Sequence, residues 1–174
     1  KVAKQVHAFE PFKASFNLLN QNLKINDCKN VKVYSEGLSD TKGKNHWSFL
    51  SIANPGGSGM ESDKGKPSSK VVNTPKEKEY EINTITLDSL KLKKVDYIKI
   101  DVEGFEYSVL RGAMKTIAKH KPIIVVESFV DLQDFGSLNP EQVNERFKDL
   151  LALGYTYEYV DDFDFLFLPK GYKS

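Results

Sequence analysis

The chain has 174 residues, 40% of them hydrophobic, and no apolar run long enough to cross a bilayer, so we expect one domain over residues 1–174 and no membrane partner. Its 25 Lys and Arg nearly balance its 24 Asp and Glu, which argues against a polyanion-binding surface and so against a nucleic-acid partner. The single cysteine, Cys28, excludes an intramolecular disulfide and a cysteine-based zinc site, and it fits a reducing, cytoplasmic location.

The N-terminal part of the chain predicts a strand, a helix and a second strand. Residues 5–9 form the first strand, which ends at Glu10 and Pro11 because the residue before a proline is held out of the helical region. The following apolar residues recur at the spacing of one helix face: Phe12, Phe16, Leu19 and Leu23. A strand at residues 31–34 then completes a unit of the size of a βαβ motif.

The middle of the chain alternates between strand patterns and one long polar segment. Residues 46–52 and 80–87 read as strands, whereas residues 53–79 are rich in Gly, Ser, Pro and Lys and predict a mobile loop or lid. Residues 97–100 form a short buried strand that leads directly into an acidic segment. We expect one helix after it, because apolar residues recur at intervals of four: Phe105, Val109, Ala113 and Ile117.

The C-terminal third predicts a central strand, a helix and a hairpin. Residues 123–126 are all apolar, as in a parallel strand covered on both sides, and they end at Glu127. Asn139, Pro140 and Gln142 form a helix-start pattern, and the helix stops at Gly154. Residues 155–159 and 163–168 alternate as an antiparallel hairpin. The order of elements predicts an α/β fold with a mostly parallel sheet, helices on both faces and an antiparallel C-terminal hairpin.

Ligands of such sheets bind outside the carboxyl ends of the strands, so polar residues at those ends are site candidates. Glu10 offers two carboxylate oxygens to a ribose diol, or it is a solvated acid before a proline turn. Asp40, after Leu38 and Ser39, accepts a hydrogen bond from an adenine amine, or it forms a local turn. His46, beside the long loop, is either catalytic or structural.

The segment from Asp101 to Glu106 places three acids and Gly104 where a buried strand passes into a helix. Asp101 is expected to point into the cleft, and Glu106 to act on the helix dipole. Alternatively, crowding among Asp101, Glu103 and Glu106 raises one pKa, as a general base requires, or attracts a divalent cation. Glu127 follows the next strand, so it flanks an acceptor hydroxyl together with Asp101, or it has a capping role.

Several segments together resemble the FkbM family of methyltransferases: Val6-His7-Ala8-Phe9-Glu10-Pro11, Leu38-Ser39-Asp40, Thr86-Leu87-Asp88-Ser89-Leu90, Ile98 to Gly104, Glu106, Val109 to Ala113, and Pro122 to Glu127. The resemblance implies a Rossmann-like class I methyltransferase sheet, S-adenosylmethionine as cofactor, and O-methylation of a sugar or other small hydroxyl compound. It also implies site roles. Glu10 and Pro11 hold the ribose, residues 38–40 border the adenine, and Asp101 lies near the methionine moiety and acceptor. Glu103, Glu127 and His46 are the candidate bases.

The sequence departs from the family pattern at its start. The family carries a glycine-containing loop about twenty to thirty residues upstream of the ribose-binding acid, whereas only nine residues precede Glu10. We therefore expect a domain that is incomplete at its N-terminus. Two alternatives stay open: a binding or accessory module that has lost the methyl-donor site, and a magnesium-like ion at the acids Asp101, Glu103 and Glu127.

Overall fold

The computed structural model describes residues 3–48, 59–60, 79–102, 104–128, 139–161 and 163–172. In these ranges, ten strands form three small sheets that contain both parallel and antiparallel pairs. The predicted mixture of helices and strands is confirmed. The described strands do not join into one mostly parallel sheet, because hydrogen-bonded pairing stops at the edges of the three groups.

The first sheet has the predicted βαβ arrangement. Strand β1 (Val6–Phe9) leads into helix α1 (Lys13–Ile25) and then into strand β2 (Val31–Tyr34). The two strands pair in parallel, with Val6 opposite Val31. Helix α1 has no fully buried residue, and its predicted apolar face is half-buried. In this unit, every described residue is therefore at least partly exposed.

The second sheet has the order β3-β6-β4-β5. Its strands are β3 (Gly37–Leu38), β4 (Gly43–Ser48), β5 (Gly59–Met60) and β6 (Glu79–Ile85). Strand β6 ends two residues before the prediction because Leu87–Leu90 form a 3-10 helix, which the Thr86 hydroxyl caps by accepting from the Ser89 amide at 3.1 Å. Of the predicted loop at residues 53–79, only residues 59–60 and 79 belong to the described structure, and all three lie in strands.

The third sheet has the order β7-β8-β10-β9 and contributes strands to the main hydrophobic core. It contains β7 (Tyr97–Ile100), β8 (Ile123–Glu127), β9 (Tyr155–Tyr159) and β10 (Asp164–Pro169). Strands β7 and β8 are parallel, whereas β10 is antiparallel to both β8 and β9. The predicted C-terminal hairpin is confirmed, and its second strand inserts between the first and the parallel pair.

Each of the two later predicted helices is divided in two. Helices α2 (Glu106–Arg111) and α3 (Met114–His120) replace one continuous helix, and α4 (Pro140–Arg146) and α5 (Lys148–Ala152) replace the other. The first break falls at Gly112, whose carbonyl accepts the Asp88 amide at 3.0 Å. The expected helix start is confirmed by a capping box between Asn139 and Gln142.

One face of the third sheet forms the core together with helices α2 to α5. Ile124, Val126, Phe165 and Phe167 are fully buried on this face, and the Phe147 ring lies 4.9 Å from that of Phe167. Because side chains alternate along a strand, the residues between them face the other way and stay half-buried. The polar residues at the strand ends lie on this second face.

Candidate active site

Two of the predicted acids lie side by side at the carboxyl ends of parallel strands. Ile100 of β7 pairs with Val126 of β8, so the next residues, Asp101 and Glu127, extend beside each other. Their side chains are close enough to interact, and this interaction raises the pKa of Glu127. A carboxyl group beside a second carboxylate keeps its proton more strongly, because two like charges at short distance repel each other. Asp101 and Glu127 therefore lie close together, and their shared role at an acceptor hydroxyl stays a prediction.

A lysine and a third acid complete the cluster. The Lys99 ammonium lies 2.6 Å from Oδ1 of Asp164 and 4.0 Å from Oε2 of Glu127. Lys99 lies two residues before Asp101, on the same face of its strand, and Asp164 pairs with Glu127 across the antiparallel ladder. Neither Lys99 nor Asp164 was among the sequence candidates.

The electrostatic surroundings of Glu127 suit proton transfer near neutral pH. Partial burial, the hydrogen bond with Asp101 and the charges of Asp101 and Asp164 raise the pKa of Glu127 to about 7, although attraction to Lys99 opposes the rise. For Lys99, partial burial lowers the pKa, but the hydrogen bond and charge of Asp164 outweigh it and raise the pKa overall. A carboxylate with a pKa near the working pH can take and return a proton efficiently.

Glu106 is not a simple helix-dipole residue. Its carboxylate is buried, and its Oε1 accepts the Gly104 amide at 2.7 Å. Gly104 has φ +98°, a conformation that glycine adopts without the strain of a side chain. Burial raises the pKa of Glu106, and the hydrogen bond from Gly104 opposes that rise. Glu106 therefore holds the turn that follows Asp101.

Glu10 occupies the predicted position at the end of β1. Its amide donates to the Tyr34 carbonyl at 3.0 Å, and its Oε1 accepts the Phe12 amide at 2.8 Å. Partial burial raises the pKa of Glu10, against the effect of the hydrogen bond from Phe12. The Pro11 ring lies against the backbone of Gly37, since a Cβ built there would be 3.6 Å from the proline Cγ. Pro11, which follows Glu10, thus lies beside the start of β3.

The turn at residues 38–40 is fixed by protein contacts on both sides. Ser39 is buried, and its amide donates to Ile85 at 2.9 Å, while Leu38 packs against the core. Asp40 accepts from the Ser39 hydroxyl at 3.2 Å through Oδ1 and pairs with Arg111 at 2.5 Å through Oδ2. Each carboxylate oxygen of Asp40 therefore has a protein partner. An adenine amine would have to use a remaining lone pair.

Two predicted site residues remain, Glu103 and His46. Glu103 lies outside the described residues. His46 belongs to β4, opposite Glu81 of β6, in a sheet with no described hydrogen-bonded pairing to the one that carries Asp101 and Glu127.

Other regions of the described structure add little to the site. A cavity of about 380 Å³ opens between α1 and β2, and none of the predicted site residues lines it: its walls are Asn20, Leu23, Lys24, Asp27, Cys28, Lys29, Val31 and Val33. Within the described ranges, no three His, Cys, Asp or Glu side chains are arranged to hold a metal ion. No helix in the described part of the chain has the length and apolar character to span a membrane.

Comparisons with known proteins agree on one family. The family model described as Methyltransferase FkbM domain matches residues 2–164. Among solved structures, the chain is similar to the methyltransferase FkbM from Methylobacillus flagellatus KT, with a TM-score of 0.57 and 17% sequence identity. The similarity covers 95% of this chain but only 36% of the other, so the chain spans about a third of that protein's length. No curated protein matches the sequence.

Proposed function

Because the chain belongs to the Methyltransferase FkbM domain family, we propose that it is an S-adenosylmethionine-dependent methyltransferase acting on a hydroxyl group of a sugar or other small compound. The match over residues 2–164 supports methyl transfer, and the paired acids at the strand ends support an oxygen acceptor. A cytoplasmic location belongs to the proposal and depends on the single cysteine.

The fold that we propose, a class I methyltransferase sheet, is more specific than the arrangement of the three described sheets. In the order β7-β8-β10-β9, the last strand of the chain inserts antiparallel between two earlier strands. This insertion, together with the parallel pairs β1-β2 and β7-β8, supports a Rossmann-like class I sheet covered by helices on both faces. In such a sheet, the ends of β1, β7 and β8 would border one cleft.

The residues that would hold the cofactor lie on two of the described sheets. Glu10 fits a ribose because its carboxylate is half-buried and fixed by the Phe12 amide, and this leaves lone pairs for a diol. Pro11 and the Leu38–Asp40 turn lie next to Gly37 and would border the nucleoside. When bound, the cofactor supplies an electrophilic methyl group on a sulfonium centre.

The proton-transfer step depends on Glu127, and the observation that carries it is the position of Glu127 beside Asp101, at the carboxyl ends of two paired parallel strands. In its ionised form, Glu127 accepts the proton of the acceptor hydroxyl as the oxygen becomes nucleophilic. Asp101, alongside it, orients the hydroxyl. Glu103 and His46 stay candidate bases without a described side-chain geometry.

Calorimetric titration of S-adenosylmethionine and S-adenosylhomocysteine into the full-length protein containing these 174 residues tests the proposal. Micromolar binding, about −8 kcal/mol, is expected for both compounds, whereas ATP serves as a control nucleotide and should bind far more weakly. Transfer of a labelled methyl group to members of a panel of small sugars would then identify the acceptor class.

A different function follows if neither compound binds. The chain would then be an α/β binding or accessory module without a methyl-donor site, and a sugar panel without cofactor would test that role by direct binding. Binding of S-adenosylmethionine without methylation of any hydroxyl compound would instead remove the O-methylation part of the proposal.

A further inference from the structure

We propose that Lys99 and Asp164 form a positioning pair that holds the Glu127 carboxyl group beside Asp101, in the orientation in which it takes the acceptor proton. This inference depends on the proposed function, because it gives a role to two residues around the same base. Neither residue touches the reacting atoms in this proposal. Both act through Glu127.

The pair connects three strands at one point. Asp164 of β10 lies directly opposite Glu127 of β8 in the antiparallel register. The Lys99 side chain of β7 reaches over β8 and places its ammonium 2.6 Å from Oδ1 of Asp164. The same ammonium lies 4.0 Å from Oε2 of Glu127. A cation anchored on one neighbouring strand is thereby held beside the carboxylate of the strand between.

Asp164, which holds the Lys99 ammonium, is itself fixed by the hairpin. Oδ1 of Asp161 accepts the amides of Phe163 at 2.9 Å and Asp164 at 2.8 Å. The Asp164 carbonyl in turn accepts the Val160 amide at 2.9 Å. These bonds fix the backbone of Asp164 independently of its contact with Lys99. The hairpin turn therefore determines where the Lys99 ammonium rests and how closely it approaches Glu127.

The charges around Glu127 act in opposite directions, and this gives the pair a measurable signature. Lys99 favours the ionised carboxylate, whereas Asp101 and Asp164 disfavour it. More remote charges act on these neighbours: Glu106 interacts with Asp101, and Asp161 with Lys99. Loss of the lysine charge should raise the pKa of Glu127. Loss of the Asp164 charge removes repulsion and frees the lysine for Glu127, so the pKa should fall.

The test measures the titration of Glu127 by the ¹³C NMR signal of its side-chain carboxyl group in the full-length protein. The signal is assigned by its loss in Glu127→Gln. We expect the midpoint to rise in Lys99→Met and to fall in Asp164→Asn, each by about one pH unit, a tenfold change in the acid dissociation constant. Lys99→Arg keeps the charge and should restore a midpoint close to that of the unmodified protein.

Lys44→Met is the matched control. Lys44 also bridges neighbouring strands and lies 2.6 Å from Oε1 of Glu81, but in the second sheet, so the Glu127 midpoint should not move. Shifts in the same direction in Lys99→Met and Asp164→Asn, or no shift in either, would overturn the proposal. If Lys99→Met does not fold, the Asp164→Asn shift alone decides it.

The outcome is independent of the methyl-transfer assay. The NMR titration needs neither cofactor nor acceptor, so a failure of the positioning pair is seen even in a protein that binds S-adenosylmethionine. Conversely, the Glu127 midpoints of the two variants could shift in opposite directions in a protein that does not bind the cofactor. That result would support the charge coupling but overturn the role of the pair in catalysis.

Discussion

Gly112 lies directly against the backbone of Ser39, with no space for a side chain between them. A Cβ built at Gly112 would collide with the Ser39 carbonyl oxygen, and it would lie 3.2 Å from the Asp40 Cα. The neighbouring Arg111 forms the ion pair with Asp40. The loop between α2 and α3 is therefore pressed onto the turn that is proposed to border the adenine.

Gly112→Ala should destabilise the protein strongly. The colliding atoms belong to backbone, which cannot move aside as a flexible side chain can, so we expect a loss of about 3 kcal/mol in the free energy of unfolding. Urea denaturation measures the loss. Gly43→Ala is the control, since no described atom lies within 4 Å of a Cβ at that position. Equal stability of the two variants would show that the close approach of Gly112 to Ser39 is wrong.

Asp88 should stabilise helix α3 from outside it. The Asp88 carboxylate accepts the amides of Lys115 at 3.1 Å and Thr116 at 2.7 Å, and the helix has no capping side chain of its own. Asp88→Ala leaves these amides without their acceptor and should lower the free energy of unfolding by about 1–2 kcal/mol. Asp96→Ala, which removes an exposed acid paired with Lys94, should change it by less than about 0.5 kcal/mol. Thermal denaturation of the unmodified protein and of both variants measures these changes in the free energy of unfolding.

Glu10→Gln should weaken cofactor binding without unfolding the protein. The glutamine carbonyl can still accept the Phe12 amide, but the negative charge that would hold the ribose diol is lost. We expect a fall in affinity for S-adenosylmethionine of about tenfold or more, measured by calorimetry. Glu158→Gln, at an exposed position of β9, is the control. If Glu10→Gln has unchanged affinity for S-adenosylmethionine and a normal circular dichroism spectrum, Glu10 does not bind the ribose.

Glu127→Gln should change how stability depends on pH. Burial and the hydrogen bond with Asp101 raise the pKa of Glu127 to about 7 in the folded protein, against about 4.3 in an unfolded chain. The folded state therefore binds more protons between these values, and the stability contributed by Glu127 is lost as the pH rises from about 4 to about 7.

The glutamine variant does not titrate, so its stability relative to the unmodified protein should increase over that interval. The gain should level off above pH 7 at about 1 kcal/mol, after allowance for solvent screening of a partly exposed group. Urea denaturation between pH 4 and pH 8 measures the difference. A constant difference at all pH values would mean that the pKa of Glu127 is not raised by folding.

Local patterns predicted the elements whose burial follows a simple period. The alternation around Phe165 and Phe167 predicted β10, and the helix-start pattern at Asn139 predicted the start of α4, because both signals depend on residues close in sequence. The two helix breaks were not predictable in this way. One is set by the contact of Gly112 with Ser39, more than seventy residues earlier in the chain, and the other occurs at the buried Phe147.

The sequence by itself determined that acids follow two strands, and the position of Asp101 and Glu127 at strand ends was enough to predict that they lie close together. Only the tertiary structure decided what surrounds them. Lys99 reads in the sequence as an ordinary exposed strand residue, and Asp164 as a residue beside a turn. Their contact crosses 65 residues of chain, and it exists because β10 inserts beside β8 with Asp164 opposite Glu127. Strand order and register bring those charges together, and neither is encoded in the local pattern of either residue.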